Sequence, residues 1–143
     1  MLLNPFEYYM KHIWGSVMTN EEVSHRYKSI IQDLIETKDI SEICKDLKNL
    51  PHQFMHEFVR RLILIVIEKN SADKTNEYTD LAVKVLIELT HQLMISVDQI
   101  QSGIHKAADS IEDLILDVPS AAIDFEVISK LIKERKELNP ESN

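Results

Sequence analysis

Four carboxylates crowd one stretch of the chain. Asp109, Asp113 and Asp117 recur at four-residue steps, with Glu112 beside them, inside Ser102 to Ala122 (SGIHKAADSIEDLILDVPSAA). On a helix they form one stripe, whose neighbours stand about 5–6 Å apart and repel by a few tenths of a kcal/mol per pair. Pro119 puts the end of that helix close by, and a carboxylate at a helix C-terminus opposes the macrodipole by roughly 0.3–1 kcal/mol. A stretch that breaks two local rules points to function rather than to fold. What relieves it is a cation, most naturally an arginine supplied by a partner. Two plainer readings stand beside this one. The stripe is a solvated face of an acidic protein, or Asp117 caps the next helix, with Ser120 as a second capping residue and Pro119 in the first turn.

Other chemistry is poorly supported. Asp113 and Asp117 suit acid–base work by type, but a convex ridge offers neither a pocket nor an oxyanion site. His52 and His56 have a zinc-compatible spacing without a second pair of ligands nearby. Glu22 with His25 and Glu88 with His91 repeat the Glu-x-x-His element of di-iron bundles, yet both pairs lie off the apolar faces that would form a core. No Gly-x-Ser-x-Gly and no phosphate-cradling glycine loop occurs, and Cys44 sits among Ile40, Ile43 and Leu47 as a packed thiol. The expectation is a non-enzyme with no catalytic residue, metal or cofactor.

The elements that position the carboxylates read as helices. The chain has 143 residues, 44% of them hydrophobic, with 2 glycines and 4 prolines, which fits one domain of long helices with short joints. Asn4-Pro5 opens a short helix bearing Phe6, Tyr9, Met10, Ile13 and Trp14, and Gly15-Ser16 ends it. Thr19 with Glu22, Asp39 with Glu42, and Ser96 with Gln99 are capping boxes that start the first, second and fifth helices of the body. A third helix, about Gln53 to Lys69, carries Phe54, Phe58, Leu62 and Ile65 and is apolar almost all round, so it is central, with Leu62, Ile65 and Val66 most buried. Ser71 to Asn76 is the longest polar joint. Tyr78, Leu81, Ala82, Val85, Leu86, Leu89 and Leu93 mark the fourth helix. The fifth runs through the acidic stripe with Ile104, Ala107, Ala108, Ile111 and Ile115 inward. The last starts near Pro119 with Ala122, Phe125, Ile128 and Ile132 inward, and the chain frays from Lys133. This predicts an all-α fold of stacked antiparallel helix pairs, HEAT-like rather than a closed four-helix bundle.

Asp113-Leu-Ile-Leu-Asp117-Val-Pro119-Ser-Ala121 resembles the signature of the MA-3 domain family, of the programmed cell death protein 4 and translation initiation factor 4G type. The resemblance extends over roughly Ser24 to Arg135, through YKSIIQDLIETKDISEICKDLKNL, HEFVRRLILIVIEKN and LAVKVLIELTHQLMISVDQIQSGI. It implies a domain that binds the DEAD-box RNA helicase of translation initiation, initiation factor 4A. Asp113 and Asp117 would engage helicase arginines, with Glu112, Asp109 and Pro119 completing the site, and the helicase would be inhibited. The alternative it allows is a HEAT-like scaffold of the factor 4G or RNA-processing kind that supports or recruits a helicase.

The boundaries expected are an N-terminal helical extension over 1–18, an MA-3 domain over 19–138 and a frayed tail over 139–143. A net charge of −8 argues for a basic protein surface as partner and against direct nucleic-acid binding. A lone cysteine fits a reducing compartment, and neither a secretory signal nor a run long enough to span a bilayer is visible. The expected location is the cytoplasm, with the nucleus as a second compartment.

Overall fold

A computed structural model describes residues 19–140, and the expected aromatic extension over 1–18 lies outside the described residues. The described chain is all-helical, with no strand. Its seven α-helices are α1 (Asn20–Thr37), α2 (Ile40–Lys48), α3 (Met55–Asp73), α4 (Glu77–His91), α5 (Val97–Asp109), α6 (Ile111–Leu114) and α7 (Ala121–Glu134), with a 3-10 turn, His52–Phe54, before α3. Thr19, Asp39 and Ser96 are the N-caps of α1, α2 and α5, each accepting the backbone N–H three residues on. Among the described residues Ser96 closes its box both ways, since Gln99 Oε1 also accepts from the Ser96 N–H at 3.0 Å.

The central element is α3, which packs against α1, α4, α5 and α7. Met55, Phe58, Val59, Leu62, Ile63, Val66 and Ile67 are all buried on it. Ile65, expected among the most buried, is only partly so. Seven buried positions already fill the sides facing other helices, and Ile65 falls on what remains. The Tyr27 and Phe58 rings meet edge to face at 5.5 Å, and the Tyr27 hydroxyl donates to the Pro51 carbonyl at 3.2 Å. Burial, aided by the Glu57 charge, raises that phenol well above its ordinary pKa.

Where helix ends differ from the periodicity, hydrogen bonds explain it. α3 runs to Asp73, past the expected stop at Lys69, because Asn70 bridges to the next helix. Its amide donates to Thr79 Oγ1 at 2.9 Å and accepts from the Tyr78 N–H at 3.2 Å, and the joint shrinks to Lys74–Asn76. Leu93, expected on the inner face of α4, is 89% exposed. It is the left-handed residue (φ 59°) that closes α4, with the Met94 N–H on the Leu89 carbonyl at 3.0 Å. Such a cap turns its own side chain outward and tucks the next residue, Met94, inward.

The last helix also differs. Ala121, Ile128 and Ile132 are buried and Phe125 partly so, but Ala122 is exposed. Nor does the chain fray from Lys133. α7 continues to Glu134, Asn139 Nδ2 donates to the Lys133 carbonyl at 3.3 Å, and Leu138 is 1% exposed. Charged residues dominate this segment, and one leucine suffices to hold it.

Candidate functional site

The acidic stretch is not one continuous helix. α5 ends at Asp109, and at Ser110 (φ −94°, ψ −7°) the N–H bonds to the Ala107 carbonyl at 3.0 Å, a tightened turn. α6 then supplies a single turn, and a further bend carries the chain to Pro119. Ile111, Leu114, Val118 and Ala121 point inward and anchor the segment against α7. Of the expected apolar stripe, Ile104, Ala107 and Ile111 are buried, whereas Ala108 and Ile115 are exposed. The break at Ser110 rotates the chain beyond it, so Leu114 and Val118 take the inward places.

Asp109, Glu112, Asp113, Asp117 and Pro119 are all exposed. Because of the break, only Asp109 sits at the C-terminus of a long helix and opposes its dipole. Glu112 and Asp113 open the four-residue α6 instead. Among the described residues, no Lys, Arg or His nitrogen lies within 4.0 Å of any of these carboxylates. Asp117 does not cap the last helix. The N-cap of α7 is Ser120, whose side chain accepts no backbone bond and donates to Asp124 Oδ2 at 2.8 Å.

Sequence reasoning missed two features here. Leu116, between Asp113 and Asp117, is 83% exposed. It therefore leaves an apolar side chain open to solvent inside the acidic frame, and its place in an Asp-x-x-x-Asp run was the available signal. The second is the support beneath. Arg60 on α3 forks onto Glu57 (Nη2 to Oε1 2.9 Å, Nε to Oε2 3.0 Å), and its Nη1 reaches Ser110 Oγ at 3.4 Å. Glu57 also accepts from the Ser24 hydroxyl at 3.0 Å and pairs with Arg61 at 3.5 Å. Burial by itself would raise the Glu57 pKa, but the bond to Arg60, the Arg60 charge, Ser24 and Arg61 outweigh it and hold it below the usual value. The Arg60 guanidinium, which reaches Ser110, is thus spent internally.

The remaining candidates are not assembled into sites. His52 lies in the 3-10 turn and His56 in the first turn of α3. Glu22, His25 and His91 are exposed, and Glu88 partly so. No group of three or more His, Cys, Asp and Glu among the described residues has a metal-binding arrangement. Cys44 is buried, and burial, with Glu88 adding, raises its thiol pKa, which disfavours the thiolate. No described helix is long and apolar enough to cross a membrane.

Comparison with known proteins places this geometry in a family. The model of the MA3 domain matches residues 23–135, from α1 to the end of α7. MA3 domain-containing translation regulatory factor 4 of Arabidopsis thaliana is 32% identical over 118 residues, 80% of this chain and 18% of the relative. Human programmed cell death protein 4 is 32% identical over 127 residues, 85% of this chain and 25% of the relative. The chain therefore spans a quarter or less of these relatives. With the match running through the helical body and the acidic turn, the chain belongs to the MA3 domain family.

Proposed function

We propose that this MA3 domain is a translation-regulating protein-interaction module whose partner is the DEAD-box RNA helicase initiation factor 4A. In this reading Asp113 and Asp117 engage arginines of the helicase, Leu116 fills the space between them, and Glu112 and Asp109 extend the negative field. Pro119 fixes the bend before α7. The observation that carries the reading is the exposure of Asp113 and Asp117 without an internal cation among the described residues. Charge-assisted pairs with arginine, partly desolvated on docking, contribute about 1.5–3 kcal/mol each. The names of the relatives, a translation regulatory factor among them, support the cellular role. The module spans 19–138, with 1–18 as an extension and 139–143 as a tail, and works where translation does, in the cytoplasm, with the nucleus as a second compartment.

Helicase capture and unwinding test this reading together. The domain should bind initiation factor 4A and slow its unwinding, and Asp113→Ala with Asp117→Ala should abolish both effects. Binding that survives the double change would move the site elsewhere, and tight binding of RNA by the domain alone would refute the reading. Unwinding that accelerates would make the domain a supporting scaffold.

A further inference from the structure

We propose that the outward ridge of α7, Ile123, Val127 and Leu131, is a docking strip for an amphipathic helix of a partner protein. That helix is apolar on one side and carries lysine or arginine at the end that meets the acidic turn. The inference goes beyond the helicase reading and does not depend on which protein supplies the helix.

α7 is apolar on two sides and uses only one of them inside the domain. Ala121, Ile128 and Ile132 are buried where the helix packs against α3, α4 and α6. Ile123 and Val127, by contrast, are 68% and 52% exposed, and Leu131 is also exposed. A surface helix needs one apolar stripe to hold its place, so the second has no role in this fold. Among the described residues six large apolar side chains are exposed, and five of them fall between Ile115 and Leu131. Single exposed apolar residues are ordinary, but their concentration in one place marks an interaction surface.

Spacing selects a helix as the occupant. Ile123, Val127 and Leu131 recur at four-residue steps over about 12 Å, a ridge of the kind that packs into the groove of another helix. Charge selects its composition. Asp113 and Asp117 are exposed just before the strip and Glu126 is exposed within it. Among the described residues none of the three has a Lys, Arg or His nitrogen within 4.0 Å. The cations of the helix, Lys130 and Lys133, stand at the Leu131 end, where Lys130 pairs with Glu134 at 3.9 Å. Uncompensated charge is therefore negative and gathers toward Ile123, which a helix with cations at that end complements. A second copy of this chain, with net charge −8 and the same carboxylates, does not.

The probe is a dye-labelled synthetic peptide of about four helical turns, with leucines on one face and lysines gathered at one end. A second peptide of the same composition is scrambled so that no apolar face forms. By fluorescence anisotropy the full chain should bind the first about ten-fold or more tightly than the second. Val127→Asp should weaken that binding about ten-fold or more with circular dichroism and Tm intact, since it sets a charge in the contact. Ile123→Asp gives the same reading should Val127→Asp disturb the helix. Leu93→Asp, at the exposed end of α4, should change nothing. Asp113→Ala with Asp117→Ala should weaken binding and flatten its salt dependence. The peptide holds no helicase sequence, so a failure of helicase capture leaves this result standing. Equal binding of both peptides, binding that survives the α7 variants, or equal loss in Leu93→Asp would overturn the proposal. So would a parent that sediments as a dimer split by Val127→Asp, which would give the strip to a second copy. A shift of Trp14 emission in Val127→Asp without peptide would give it to residues 1–18 of the chain itself, and would overturn the proposal equally.

Discussion

Arg60 Nη1 stands 3.4 Å from Ser110 Oγ, joining the first half of the central helix to the point where α5 gives way to the acidic turn. The two residues are fifty positions apart. Arg60 is held in place by its fork onto Glu57, which is itself anchored to Ser24 of α1 and Arg61 of α3. One carboxylate thus ties α1 and α3 to the segment that displays Asp113 and Asp117.

Glu57 makes stability depend on pH in a definite direction. Its folded pKa lies below the ordinary 4.5, so the folded state holds fewer protons than the unfolded chain between those two values. Its contribution is fully present above the unfolded value and is lost as pH falls through the folded one. Glu57→Gln should cost about 1–2 kcal/mol at neutral pH, because two guanidinium groups lose a charged acceptor. The same variant should lose less stability than the parent over the acid window. Urea melts at neutral and acid pH check both points, and parallel acid limbs would remove Glu57 from the account.

Gly103 sets how closely α5 approaches α3. A Cβ added there would lie 2.5 Å from the Val59 Cβ and 2.6 Å from the His56 carbonyl oxygen, which is backbone and cannot swing aside. Contacts this short put the cost in the upper part of the overpacking range, about 2–3 kcal/mol, and roughly 1 kcal/mol of helix propensity offsets part of it. Gly103→Ala should therefore destabilise by about 1–2 kcal/mol, read as a lowered Tm. An unchanged or raised Tm would mean that the two helices separate freely.

Much of this was legible locally. Thr19, Asp39 and Ser96 announce their helices because a capping oxygen acts within three residues, and Leu62 and Val66 lie on faces that periodicity can count. The carboxylates were legible as exposed residues, but their frame was not. Periodicity carries a helix through Ser110, since a single tightened turn changes no residue type. Arg60 could not be paired with Ser110 from sequence, because their meeting depends on how α3 and α5 cross. The crossing in turn depends on Gly103, a residue that periodicity treats as a mere gap. Leu138 was lost among charged neighbours, which predict fraying on composition alone.

Leu138 offers the sharpest check on that last point. Its side chain is 1% exposed, in a segment tied back by the Leu138 and Asn139 N–H groups to the Arg135 carbonyl at 3.1 and 2.9 Å. Leu138→Ala should cost about 2 kcal/mol, near the low end for buried leucines because a chain end relaxes more easily than a core. Hydrogen exchange should show the end of α7 opening first. If stability and exchange match the parent, the segment does not hold the domain together.

The acidic turn should behave as a surface under mild repulsion that a partner relieves. Asp113→Ala with Asp117→Ala should leave the melting temperature nearly unchanged or slightly raised, since neither carboxylate caps α7 and both lack an internal cation among the described residues. A large loss of stability would return them to a structural role. Binding to the helicase should weaken as salt rises, because screening shortens from about 8 Å at 0.15 M to about 3 Å at 1 M ionic strength. Association should slow first and dissociation change less, as expected when charge steers the encounter and a desolvated contact holds the complex. In the double variant the salt dependence should flatten along with the affinity. If the variant loses affinity but keeps the parent's salt slope, the charges that steer the helicase lie elsewhere on this surface.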